Sequence, residues 1–133
     1  MSKRMTKDEF QKSLGALNPV GHVVLAFANE AIANDALADL LQAGFTDQDI
    51  LTYTSAELFP NLDDMIRQAS GAAGFGYEIN LMRRYLTLAG EGAGWLVVYA
   101  SEDDQLAKIT QIAKRFGARS AARYGRLVNE DLV

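Results

Sequence analysis

Two stretches of this chain follow one pattern at one spacing, and that repeat constrains the fold more than any other feature. From Gly21 to Gly44, a short apolar run (His22 to Ala28) leads to Asn29, then to a helical stripe, then to glycine. From Gly94 to Gly117 the same events recur over the same number of residues. A short β-branched run reads as a buried strand. Asn29 and Ser101 are natural N-caps, and Gly44 and Gly117 suit the left-handed residue that ends a helix. In the first unit Ala33, Ala36, Leu37, Leu40 and Leu41 form the stripe; in the second it is Leu106, Ile109, Ile112, Ala113 and Phe116. Each helix is followed by a further short run, Asp49 to Thr54 and Arg119 to Tyr124, so each unit reads as β-α-β. Few identities accompany the match. The repeat is one of supersecondary structure.

Two β-α-β units in tandem predict an α+β fold, the ferredoxin-like split β-α-β sandwich with a four-stranded antiparallel sheet. With 133 residues the chain has the length of one domain. We expect a helical lead-in over 1–19, a single domain over 20–126 and a tail over 127–133. Thr6 with Glu9 fits a capping box, and Phe10, Leu14 and Leu17 give the lead-in one apolar stripe. Asn18-Pro19 ends it. Between the units lie residues 55–93, too many for a hairpin loop. Two amphipathic helices are expected there. One starts near Pro60 with Leu62, Met65, Ile66 and Ala69; the other runs from Tyr77 to Ala89 with Ile79, Met82, Tyr85 and Leu86. Gly71 to Gly76 separates them.

Several residues of the repeat resemble a known family. Val23-Val24-Leu25-Ala26-Phe27, the helix end Leu41-Gln42-Ala43-Gly44-Phe45 and the approach Asp47-Gln48-Asp49-Ile50 are similar to the opening of a bacterial general-stress, heat-inducible domain family. Gly94 to Gly117 resembles its second half. The middle departs from that family, which carries a long glycine-rich stretch where this chain has only Gly71 to Gly76 and Gly90 to Gly94. The resemblance implies a stress-associated cytoplasmic domain. It transfers no catalytic residue.

The residues themselves exclude much chemistry. There is no cysteine, which removes disulfides, thiol nucleophiles and cysteine metal sites together. The single histidine, His22, forbids a multi-histidine metal site. Gly90 to Gly94 closes a helix and leads into a strand, the reverse of a dinucleotide fingerprint. No serine sits in a nucleophile elbow. The carboxylate groups Asp47/Asp49, Asp63/Asp64 and Glu102/Asp103/Asp104 lie at loops and helix starts, where exposed acids are ordinary. No metal and no cofactor is expected. The apolar runs are too short to span a membrane, and the basic start has no apolar segment behind it, so the expected location is cytoplasmic.

Charge is unevenly spread. Between Phe27 and Asp104 thirteen acids face three bases, whereas Gln105 to Arg126 holds six bases (Lys108, Lys114, Arg115, Arg119, Arg123, Arg126) and no acid. That stretch could contact phosphate, but the chain's pI near 4.9 opposes steering towards a polyanion. We therefore expect weak nucleic-acid binding at most.

Alternation places Trp95, Val97 and Tyr99 on one sheet face with His22, Val24 and Ala26. Leu96, Val98 and Ala100 share the other face with Val23, Leu25 and Phe27. Both faces are apolar, so the first must be covered by the inserted helices or by a second subunit. The reading favours a non-catalytic regulatory domain acting by self-association, as a homodimer, or by binding a protein partner. A rival is a small-ligand-binding module or enzyme using the cleft between insertion and sheet. Its polar groups would be His22, Tyr53, Trp95, Tyr99 and Arg123.

Overall fold

The computed structural model describes residues 21–59, 76–124 and 129–131. In chain order these form β1 (His22–Phe27), α1 (Glu30–Gln42), a 3-10 turn (Asp47–Asp49) and β2 (Ile50–Thr54). Next come α2 (Ser55–Leu58), α3 (Gly76–Gly90), β3 (Gly94–Tyr99), α4 (Asp103–Arg115), β4 (Ser120–Tyr124) and β5 (Asn129–Asp131). The lead-in helix over 1–19, the helix after Pro60 and the break at Gly71 lie outside the described residues.

The strands form one sheet in the order β2-β3-β1-β4-β5, with every neighbouring pair antiparallel. β1 and β2 therefore run parallel with β3 between them, and β3 and β4 run parallel with β1 between them. The two β-α-β units are interleaved. The architecture is α+β, with one strand more than the expected four: β5 falls in the segment read as a tail, and its run Asn129-Glu130-Asp131 carries no apolar strand signal.

The local signals act where the sequence puts them. The Asn29 side chain accepts from the Ile32 amide at 2.9 Å and opens α1. Gly44 (φ +110°) and Gly117 (φ +65°) take the left-handed backbone that closes each unit's helix. Three expectations need correction. The N-cap of α4 is Glu102 rather than Ser101, and the Gln105 side-chain oxygen accepts from the amides of both, at 3.2 and 3.1 Å. β2 starts at Ile50, since Asp49 belongs to the 3-10 turn and its carboxylate accepts from the Thr46 amide. Leu41 is 38% exposed and so lies outside the stripe, whose buried members are Ala33, Ala36 and Leu40.

Two cores flank the sheet. Val23, Leu25, Phe27, Leu96 and Val98 meet Ala33, Ala36 and Leu40 of α1 and Ile109, Ile112 and Ala113 of α4. On the other face Val24, Ala26, Trp95 and Val97 meet Leu58, Phe59, Tyr85, Leu86, Leu88 and Ala89. The second face is thus covered from within the chain, by α2, Phe59 and α3.

Candidate functional site

Trp95 and Tyr53 are cross-strand partners on β3 and β2, and both are buried. The Trp95 Nε1–H donates to Ser55 Oγ at 2.9 Å, and Ser55 Oγ donates to the Ala93 carbonyl at 2.7 Å. Phe59 and Tyr85 meet the indole edge-on, with ring centroids 5.5 and 5.2 Å away and interplanar angles of 68° and 81°. Such edge-to-face pairs each add about 0.5–1.5 kcal/mol beyond burial. With its polar handle satisfied and both rings in place, Trp95 is a core anchor. A ligand could stack on it only by displacing α2 and α3.

His22 and Tyr99 pair across β1 and β3, their ring centroids 5.1 Å apart. His22 is 1% exposed. This pair stands four residues along the strands from Trp95, roughly 13 Å at the usual rise per residue. Arg123 is opposite Val23, and Val23 belongs to the core under α1 and α4. Direct cross-strand partners share a face, so Arg123 is on the other side of the sheet from the remaining four. The five residues do not converge: two pairs occupy opposite ends of one face, and the arginine takes the second.

The basic stretch is likewise divided. Arg115 pairs with Asp39 of α1, and Lys108 Nζ donates to the Ala43 carbonyl at 3.3 Å. Both hold α4 against the end of α1. Arg126 lies outside the described residues.

A cleft of about 250 Å³ opens at the C-terminal end of β1, lined by Phe27, Ala28, Leu88, Glu91, Ala93 and Arg119. Three chain segments make it. β1 ends there with Phe27 beside Gly94 of β3 and Ala26 beside Ser120 of β4. The turn after α3 is folded back by bonds from the Ala93 amide to the Leu88 carbonyl (3.1 Å) and from the Glu91 amide to the Thr87 carbonyl (3.2 Å). The approach to β4 is held by the Arg119 amide, which donates to the Ala26 carbonyl at 2.7 Å. Phe27, Leu88 and Ala93 close the floor and are buried. The two charged walls, Glu91 and Arg119, are exposed, and among the described residues neither side chain forms an ion pair. Sequence reasoning missed this cleft. The available signal was that Glu91 and Arg119 each closely precede a strand that flanks β1.

Nearby, Ser120 is buried on the α3 face, and among the described residues its Oγ has no hydrogen-bond partner. Among the described residues no group of three or more His, Cys, Asp or Glu could hold a metal ion, and no helix is long and apolar enough to cross a membrane. The chain matches no protein-family model, no curated protein and no solved structure.

Proposed function

We propose that this chain is a ferredoxin-like, non-catalytic regulatory domain that works by association, with a second copy pairing along β2. Interleaving of the two β-α-β units supports the fold assignment; β5 and α2 are additions to that plan. The observation that carries the association is the contrast between the two sheet edges. β5 is three residues long and bears Glu130 and Asp131, the kind of short, charged edge that resists pairing. β2 is Ile-Leu-Thr-Tyr-Thr, without charge or proline, and its register with β3 runs unbroken from Ile50 to Thr54. Among the described residues no strand lies beyond it. Both faces are covered, so an edge is the surface left for main-chain pairing.

The resemblance of Val23 to Phe27 and Leu41 to Ile50 to the general-stress family supports a stress-associated, cytoplasmic role. The separation of His22, Tyr53, Trp95, Tyr99 and Arg123 supports a role without catalysis. Light scattering tests the association. The expected result is a dimer at micromolar concentration that becomes monomeric in Thr52→Lys, with circular dichroism unchanged. In a two-fold antiparallel pair centred on residue 52 the two lysines stand opposite one another, and like charges so placed repel. A monomeric native chain rules out self-association.

A further inference from the structure

We propose that the cleft at the end of β1 binds a small zwitterion, the chemical class of free α-amino acids. The cleft offers two opposite charges in one place. Arg119 supplies a fork of N–H donors matched to a carboxylate. Glu91 supplies the opposite charge for an ammonium group, and it sits at the C-terminal end of α3, where the helix dipole also favours a cation. Phe27, Leu88 and Ala93 close the bottom of the cleft but are buried, so they leave little apolar surface for a side chain.

Charges of opposite sign that line one cleft and do not pair leave their heads open to a ligand that bridges them. A molecule carrying a single charge satisfies one wall only. Size narrows the class further: about 250 Å³ lies below the roughly 300–1,000 Å³ of sites for drug-sized ligands. A nucleotide is too large, and its net negative charge would face Glu91. The backbone of the site is fixed by the Arg119–Ala26 and Ala93–Leu88 bonds, so both charged side chains project from anchored positions.

The test is a titration of the isotope-labelled full chain, followed by amide chemical shifts, with three probes at millimolar concentration. L-Leucine carries both charges, leucinamide lacks the carboxylate, and 4-methylpentanoate lacks the ammonium group. The expected result is that leucine shifts the amides of Phe27, Ala28, Ala93 and Arg119. Each single-charge probe should bind about tenfold more weakly or worse, the loss of one charged hydrogen-bonded contact. Arg119→Ala and Glu91→Ala should each weaken leucine by a similar factor while leaving the remaining amide spectrum in place. The proposal is overturned if leucine shifts no amide of the cleft, if 4-methylpentanoate or leucinamide binds as tightly as leucine, or if both variants bind leucine unchanged. Failure here leaves the β2 association intact, because the cleft and the β2 edge lie apart in the sheet and light scattering reads only the latter.

Discussion

At the residue scale, the polar groups buried under α3 divide into satisfied and unsatisfied. Trp95 finds Ser55 for its indole N–H, and Ser55 finds the Ala93 carbonyl, so a polar pair ties α2 to the start of β3. Among the described residues Ser120 Oγ has no such partner, and an orphaned buried hydroxyl destabilises by about 1–3 kcal/mol. Ser120→Ala removes the orphan and leaves a cavity smaller than a methyl group. We predict a gain of about 1 kcal/mol, read as a rise in Tm of roughly 3–5 °C for a domain this size. Thermal circular dichroism measures it. A lowered Tm would mean that the hydroxyl is hydrogen-bonded after all.

At the element scale, the repeated units stand or fall on how closely strand and helix approach. A Cβ added to Gly94 would lie 2.7 Å from the Asn29 carbonyl oxygen and from Glu30 Cα, and 2.8 Å from Ala33 Cβ. The first two are backbone atoms at the start of α1 and cannot swing aside. Gly94→Ala must therefore push β3 away from α1, at a cost of about 3 kcal/mol by overpacking. Gly90, at the end of α3, has nothing within 4 Å of its added Cβ. Gly90→Ala should change stability by less than about 1 kcal/mol in either direction. Urea denaturation of the two variants side by side separates close approach from a general intolerance of alanine. Equal losses at both sites would contradict the packing account. The Arg115–Asp39 ion pair matters less to the α1–α4 contact. Arg115 is 62% exposed, and exposed pairs contribute about 0–1 kcal/mol.

At the scale of the whole molecule, the sheet separates two cores of different character. The one under α1 and α4 is mainly aliphatic, with Phe27 and Phe45 its buried rings; the one under α2 and α3 is built around Trp95, Tyr53, Tyr85 and Phe59. The aromatic core depends on α3 staying in place, because Tyr85 packs nearly perpendicular against the indole. Trp95 is the chain's single tryptophan, so its emission reports this core alone. The native protein should emit at short wavelength and resist quenching by iodide. Tyr85→Ala should cost about 3–5 kcal/mol, as other large aromatic truncations do, and should shift the emission to the red with quenching restored. Red-shifted, easily quenched emission from the folded native chain would refute the covered face.

The sequence by itself determined the elements and their faces. Period, caps and stops act over three or four residues, so Asn29, Gly44, Gly117 and, Leu41 apart, the stripes of α1 and α4 could be read directly. Alternation likewise sorted Val24, Ala26, Trp95 and Val97 from Val23, Leu25, Leu96 and Val98. Where the local signal was weak, the reading failed: β5 has no apolar residue, and α2 is four residues directly after a strand. Tertiary structure alone decided which functional groups meet. The polar aromatics His22, Tyr53, Trp95 and Tyr99 invited a joint site, but strand register set the two pairs at opposite ends and side-chain parity put Arg123 on the other face. Glu91 and Arg119 carried no motif, yet placing β3 and β4 on either side of β1 brought them to one cleft. Register and strand order come from pairing between distant segments, whose burial is optimised jointly, and no local pattern encodes that sum.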